Sequence, residues 1–227
     1  EIFLGEVKKS TGKDLTKTED KTYKKLSIKQ LPLYTTPIKE NYDKILTGFV
    51  KIITDIGYGS GFFITNDGFI LTNKHVVADQ TIIKVELFSG RTVPGEVIRT
   101  NSLDVALIKI SEENKVYPMP ISTSELNIGS TVFSLGNPND QNQVLSKGCI
   151  TRYTKNHYKG DALRIETDCF THSGSSGGPL FDEFGNVIGI NVEGRSDLST
   201  QIKVKLGLNL HLSINDALNV LNIKFSS

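Results

Sequence analysis

Ser176 lies in Gly174-Ser175-Ser176-Gly177-Gly178-Pro179-Leu180, a serine among glycines just ahead of a strand. That setting suits a nucleophile, because a tight turn brings backbone N–H groups onto the oxygen of a tetrahedral intermediate and a side chain at position 174 would hinder the approach. Gly174 and Ser176 are the expected donors. A serine hydroxyl is a weak nucleophile until a base accepts its proton, so a histidine and an orienting carboxylate are needed. His75 follows the apolar run of Leu71-Thr72-Asn73-Lys74-His75-Val76-Val77-Ala78, and Asp104 stands in Ser102-Leu103-Asp104-Val105-Ala106-Leu107-Ile108. Each has a plainer reading taken alone: a flexible Gly/Ser loop, a surface or core histidine, an ordinary turn acid. The order His-Asp-Ser on a β-rich chain disfavours the α/β-hydrolase order Ser-Asp/Glu-His, and with it an esterase of that kind.

The elements around these residues are short strands separated by turns. Phe49–Ile53, Gly61–Thr65 and Phe69–Thr72 come first, the last two joined by Asn66-Asp67-Gly68, which is hairpin chemistry. Further strands are expected at 82–88, 92–98, 105–110, 131–135, 143–151, 163–167, 179–181, 187–192 and 206–212. So many strands argue for an all-β sandwich or barrel. Ile214, Leu218 and Leu221 behind the N-cap candidate Ser213 read as one closing helix. Residues 1–44 differ: they carry ten Lys against seven acids and lack a sustained apolar period, which reads as a solvated extension whose deletion up to residue 40 leaves a folded core. Two prolines in 31–37 limit helix there.

Composition narrows the partners. With 26 Lys+Arg against 25 Asp+Glu the formal charge is +1, so no global pull toward nucleic acid or an anionic membrane arises. The longest apolar stretches, such as 61–64 and 187–190, fall short of the roughly 20 residues that span a bilayer. Gly57-Tyr58-Gly59-Ser60-Gly61 resembles a nucleotide-binding run, but a strand and hairpin follow it instead of a phosphate-cradling helix. Neither His157 nor His211 has partners at metal-ligand spacing, so no metal and no cofactor are expected. Cys149 and Cys169 read as buried free thiols. The chain starts at Glu1 rather than Met, and processing or the choice of segment is the expected reason.

Taken together, the three motifs resemble the chymotrypsin superfamily, specifically its HtrA/Deg branch, over about residues 47 to 222. Gly59-Ser60-Gly61-Phe62 and Asn66 to Val77 resemble that family's first-barrel signature, as does Asp104-Val105-Ala106-Leu107-Ile108-Lys109 around the acid. Leu135-Gly136-Asn137-Pro138, Thr167-Asp168, the serine turn and Gly185-Asn186-Val187-Ile188-Gly189-Ile190-Asn191 continue the match in register. The resemblance implies a chymotrypsin-like double β-barrel with a short C-terminal helix: an N-terminal extension over 1–44 and a trypsin-like serine protease domain over 45–227, with barrels at about 45–118 and 119–212. It implies a serine endopeptidase acting on protein or peptide substrates through His75, Asp104 and Ser176, with a catalytically silent or conditionally active scaffold as the alternative. A homo-oligomer of three chains and an extracytoplasmic location, secreted or periplasmic, are implied by the same resemblance alone.

Two departures stand out. Phe170-Thr171-His172-Ser173 replaces the family's usual apolar-Asn-Pro run in a loop that can collapse onto the oxyanion hole, and His172 is either a loop residue or a contributor to substrate contacts. Only Asn222 to Ser227 follow the last helix, so tethering by a PDZ domain is not expected within this chain. By the resemblance, Phe170 is expected at the base of the primary pocket, with Thr171 and Asn191 as further substrate contacts. No acid at position 170 argues against cleavage after Lys or Arg, and Asn191 in place of a pocket histidine weakens the alternative of a glutamate-selective secreted protease. Small or medium aliphatic residues before the scissile bond are expected.

Overall fold

The computed structural model describes residues 22–111, 116–137, 143–156, 162–197 and 204–226. In chain order it opens with β1 (Leu26–Lys29) and α1 (Ile38–Gly48). Then come β2 (Phe49–Thr54), β3 (Gly57–Phe63), β4 (Phe69–Thr72), the single helical turn α2 (Lys74–Val77), β5 (Ile82–Leu87), β6 (Thr92–Asn101) and β7 (Val105–Ile110). These six strands close a barrel in the order β2-β3-β4-β7-β6-β5, every pairing antiparallel. A second barrel is built from β8 (Thr131–Gly136), β9 (Val144–Asn156), β10 (Ala162–Thr167), β11 (Pro179–Phe181), β12 (Val187–Asp197) and β13 (Val204–Ser213). It closes as β10-β13-β12-β11-β8-β9, again antiparallel throughout. Two closed six-stranded barrels are the chymotrypsin-like arrangement. The closing helix α3 (Ile214–Val220) begins after Ser213 as expected, and β14 (Ile223–Ser226) ends the described chain.

Strand periodicity explains how the barrels meet. In β7 the residues Val105 and Leu107 face one apolar cluster and Ala106, Ile108 and Ile110 face another, so a continuous apolar run is buried on both sides. The second set fills the first barrel. The first set joins Phe49, Phe62 and Leu71 against Leu135, Phe181 and Leu212 of the second barrel, in one core that runs through the seam. Gly57-Tyr58-Gly59-Ser60-Gly61 is itself the start of β3, four residues earlier than the strand expected at Gly61. Small residues are needed there because a Cβ at position 59 would lie 2.7 Å from both Val76 methyls.

The segment before residue 45 is not a solvated arm over its described length. β1 pairs in parallel with β14, Leu26 opposite Ile223, and Ile28, Ile38 and Ile45 are buried in the seam core. The Asn186 side chain clasps the backbone of Tyr34, receiving its N–H at 2.7 Å and donating to its carbonyl at 3.0 Å. Tyr23 reaches the first barrel, its hydroxyl donating to Thr100 O and accepting from Thr100 N, both at 2.8 Å. The boundary expected at residue 45 therefore falls inside α1, whose buried stripe Ile38, Asn41 and Ile45 follows helical spacing behind Pro37. Ile45→Ala is expected to lower the unfolding free energy by about 2–5 kcal/mol, and deletion of residues 1–40 to lower it further, both read from urea denaturation midpoints. An unchanged midpoint in the deletion would restore the view of the segment as an appendage.

Candidate active site at the barrel seam

Asp104 sits between β6 and β7 with φ 72°, a left-handed backbone that aspartate tolerates better than most residues. Its loop is tied down on each side. Asn101 Oδ1 accepts from Leu103 N at 2.9 Å, Asp104 N donates to Asn101 O at 3.1 Å, and buried Asn73 donates through Nδ2 to Asp104 O at 2.9 Å. From the second barrel, the buried Arg164 donates through Nη2 to Leu103 O at 3.1 Å. The carboxylate that results is aimed at α2. Asp104 Oδ1 accepts the His75 backbone N–H at 2.9 Å, and Oδ2 pairs with His75 Nδ1 at 2.8 Å. With Nδ1 on the carboxylate, Nε2 is the ring nitrogen left for a proton acceptor.

Ser176 arrives from the other barrel on the turn ahead of β11. His172 O accepts the Ser175 N–H at 2.8 Å across a turn whose third residue, Gly174, has φ 95°. That is the type II pattern, which requires glycine there. Gly177, at φ 85°, is pressed against the first barrel: a Cβ would lie 2.2 Å from Ser60 O and from Thr72 Oγ1. The Ser60 N–H donates to Ser176 O at 2.8 Å and its hydroxyl to Gly174 O at 2.7 Å, while Thr72 Oγ1 donates to Ser60 O at 2.7 Å. Neither the Gly174 N–H nor the Ser176 N–H has a hydrogen-bond partner among the described residues.

His75, Asp104 and Ser176 line one cleft of about 540 Å3, together with Lys74, Ser102 and Val192. The Ser176 hydroxyl donates to Val192 O at 2.9 Å instead of to His75. A bulge makes that carbonyl accessible, since Asn191 pairs with His211 and Glu193 with Leu210, leaving Val192 out of the ladder. Among the described residues no group of three or more His, Cys, Asp or Glu could hold a metal, and no helix is long and apolar enough to cross a membrane.

The residues expected around the primary pocket differ in their surroundings. Phe170 is 60% exposed, its ring stacked on His172 with centroids 6.2 Å apart, so it forms no buried floor. Thr171 is buried and its hydroxyl donates to Asn209 Oδ1, while Asn209 Nδ2 donates to Cys169 O. Asn191 is interior as well: Nδ2 donates to Leu135 O at 3.0 Å and to Ser175 O at 3.3 Å, and Oδ1 accepts from Ser134 Oγ at 3.1 Å and His211 Nδ1 at 2.9 Å. Both cysteines are free; Cys169 is buried, its thiol pushed up to about 11 by desolvation, whereas Cys149 is only half-buried beside Asp168. His157 and Pro138 lie outside the described residues. Sequence reading missed Ser60, Asn73 and Arg164 as props of the site; Ser60 and Asn73 stand within the first-barrel signature, but their roles are not legible there because each acts on a segment far away in the chain.

Residues 59–190 match a family model described as the trypsin-like peptidase domain. HhoA of Synechocystis sp., named as a candidate serine protease, is 37% identical over 149 residues, 62% of this chain and 38% of its own length. A DegP-like protein of Pseudomonas putida (strain GB-1), named as a probable periplasmic serine endoprotease, is 34% identical over 172 residues, covering 72% of this chain and 34% of its own. The solved HtrA-type protease AlgW, in complex with a tripeptide, superposes with a TM-score of 0.70 at 25% identity, covering 81% of this chain and 62% of that one. The chain thus spans 34–38% of the length of these two curated relatives.

His211, wholly buried, donates through Nδ1 to Asn191 and accepts at Nε2 from Thr167 Oγ1 at 2.8 Å, so the ring is neutral. Burial holds its pKa down at about 3, from the ordinary 6.5. The unfolded chain therefore takes up a proton below pH 6.5 that the folded chain refuses, and stability present in full above 6.5 is lost as pH falls toward 3. Between pH 6.5 and 4.5 this amounts to roughly 2–3 kcal/mol. A His211→Gln variant should show a correspondingly flatter dependence in denaturation midpoints at the two pH values; equal slopes in the two proteins would refute the assignment.

Proposed function

The chain belongs to the trypsin-like peptidase family, among HtrA/DegP-like serine proteases, and from that premise we propose that it is a serine endopeptidase with His75, Asp104 and Ser176 as its triad. The observation that carries the reading is the two-point grip of Asp104 on His75 within the cleft into which Ser176 opens. In the reaction, the Ser176 hydroxyl leaves Val192 O, gives its proton to His75 Nε2 and attacks the peptide carbonyl. His75 then protonates the leaving amine, and water repeats the cycle to release the acyl group. Asp104 keeps the proton on Nδ1 and stabilises the imidazolium. The Gly174 and Ser176 N–H groups, without a partner among the described residues, are the donors for the oxyanion. The apo bond to Val192 is compatible with this, since catalytic hydrogen bonds commonly tighten only once substrate is bound. Protein or peptide substrates and an extracytoplasmic location follow from the same family reading, with relatives named as periplasmic.

A fluorophosphonate probe separates a peptidase from a silent scaffold on the same fold. Covalent labelling is expected at Ser176 in the wild type and none in Ser176→Ala, whose melting temperature stays close to wild type because only one hydroxyl is removed. His75→Ala should reduce peptide turnover by roughly 10^4-fold. Labelling retained in Ser176→Ala would remove the nucleophile assignment.

No carboxylate stands at position 170, and Thr171 and Asn191 have their polar atoms engaged inside the protein, so a Lys or Arg before the scissile bond would lack a partner, which supports an uncharged aliphatic side chain there. A peptide-library digest should be dominated by cuts after Val, Ala or Leu. Predominant cleavage after basic or acidic residues would overturn this specificity and leave the triad untouched.

A further inference from the structure

The turn that carries Ser176 contains a row of peptide groups whose polar atoms are satisfied unequally. The His172–Ser173 peptide is bonded at both ends: its carbonyl accepts the Ser175 N–H at 2.8 Å, and its N–H donates to the His172 side chain at Nδ1, also 2.8 Å. The Gly174–Ser175 peptide is bonded at both ends too, its carbonyl accepting from the buried Ser60 hydroxyl at 2.7 Å and its N–H going to His172 O. Between them lies the Ser173–Gly174 peptide, whose N–H has no partner among the described residues. A peptide plane turns only through the φ and ψ on either side, so a flip of the middle peptide passes whatever rotation it does not absorb into the two bonded neighbours, which resist it. With Gly174 in the left-handed region at φ 95°, the competing type I turn would flip that middle peptide by about half a turn.

We infer that His172 and Ser60 are positioning residues that lock the Ser173–Gly174 peptide, and with it the Gly174 N–H, in a single orientation for the oxyanion. The inference rests on the acyl-enzyme reading given above. Neither side chain transfers a proton in that reaction. His172 acts as a hydrogen-bond acceptor at Nδ1, and its ring stacks with that of Phe170, inclined at 29°. Ser60 acts from the other barrel, and its own backbone is held by Thr72 through Ser60 O, with its N–H on Ser176 O. The loop sequence Phe170-Thr171-His172-Ser173 thus supplies its own clasp on the turn, and the opposite barrel supplies the second.

The test uses the full chain, measuring the rate of acylation by the fluorophosphonate probe together with kcat and KM on a peptide substrate. Ser60→Ala and His172→Ala are each expected to slow acylation and lower kcat by roughly tenfold, with KM within about twofold, since ground-state contacts are kept and transition-state hydrogen bonding is weakened. His172→Asn, whose Oδ1 puts an acceptor where Nδ1 stood, should recover most of the rate; a residue needed only for packing would not be rescued this way. The double variant Ser60→Ala/His172→Ala should fall short of the product of the two single effects, because both act on one peptide. Wild-type acylation rates in both single variants, or an Asn variant as slow as the Ala variant, would overturn the inference while labelling at Ser176 kept the peptidase reading intact. Should Ser60→Ala fail to fold, the His172 pair decides the matter by itself. Absence of labelling at Ser176 in the folded wild type would bring down the peptidase reading, and this inference with it.

Discussion

The hydrogen bond from the Ser60 N–H to the Ser176 carbonyl crosses between two barrels that each close on their own hydrogen bonds and have no ladder in common. The site depends on that crossing, because the serine comes from the second barrel while His75 and Asp104 come from the first. One net hydrogen bond stabilises by only about 0.5–1.5 kcal/mol, too little to fasten two domains. Fastening comes from the apolar core that runs through the seam, and from the chain before β2, which packs Ile28, Ile38 and Ile45 into it. The hydrogen bonds instead set position, where an error of about 1 Å can cost on the order of a hundredfold in rate. Gly177 shows how close the approach is, since any side chain there would drive into Ser60 O and Thr72 Oγ1.

A second requirement is that the acid be held against its own backbone preference. A left-handed conformation at a residue with a Cβ costs on the order of 1–2 kcal/mol, and it persists when the surroundings over-determine it. Here Asn101, Asn73 and Arg164 bond the backbone from Asn101 to Asp104, and the carboxylate is left with both oxygens on His75. The second barrel answers with a buried polar chain of its own. Thr167, His211, Asn191 and Ser134 satisfy one another in its interior, and Asn191 extends the chain to Ser175 O. Buried polar groups of this kind are costly unless completely paired, and completely paired they rigidify what they touch. What they touch is the turn that presents Ser176.

Alternation and turn chemistry made the strands legible: β4, β7 and β11 have the bounds that the sequence suggests, and the other expected strands differ at their ends. The misreadings have physical causes. Helix α1 was hidden because its stripe of Ile38, Asn41 and Ile45 includes an asparagine whose burial is justified only by bonds to Thr36 and Phe184 O, partners not visible in local periodicity. Phe170 was expected in a pocket on the strength of its distance along the chain from Ser176, but the turn carries its ring outward onto His172. Asn191 was expected at the substrate, and it faces inward, in regular register with His211 and bonded to Ser134, Leu135 O and His211 inside the second barrel.

By itself the sequence determined the residue types available for acyl transfer, their order along the chain, the β character of the elements around them and the glycines at the serine turn. These depend on local chemistry: side-chain reactivity, a period of two, and conformations open only to glycine. Tertiary structure alone decided that Asp104 meets His75 with both oxygens, that the Ser176 hydroxyl rests on Val192 O, and that Ser60 and His172 hold the peptides flanking Gly174. Ser60 and Gly174 are 114 positions apart in sequence. Contacts at such separation follow from how two closed barrels pack, and a hydroxyl that fixes a distant carbonyl looks, in the sequence, like any other serine in a strand.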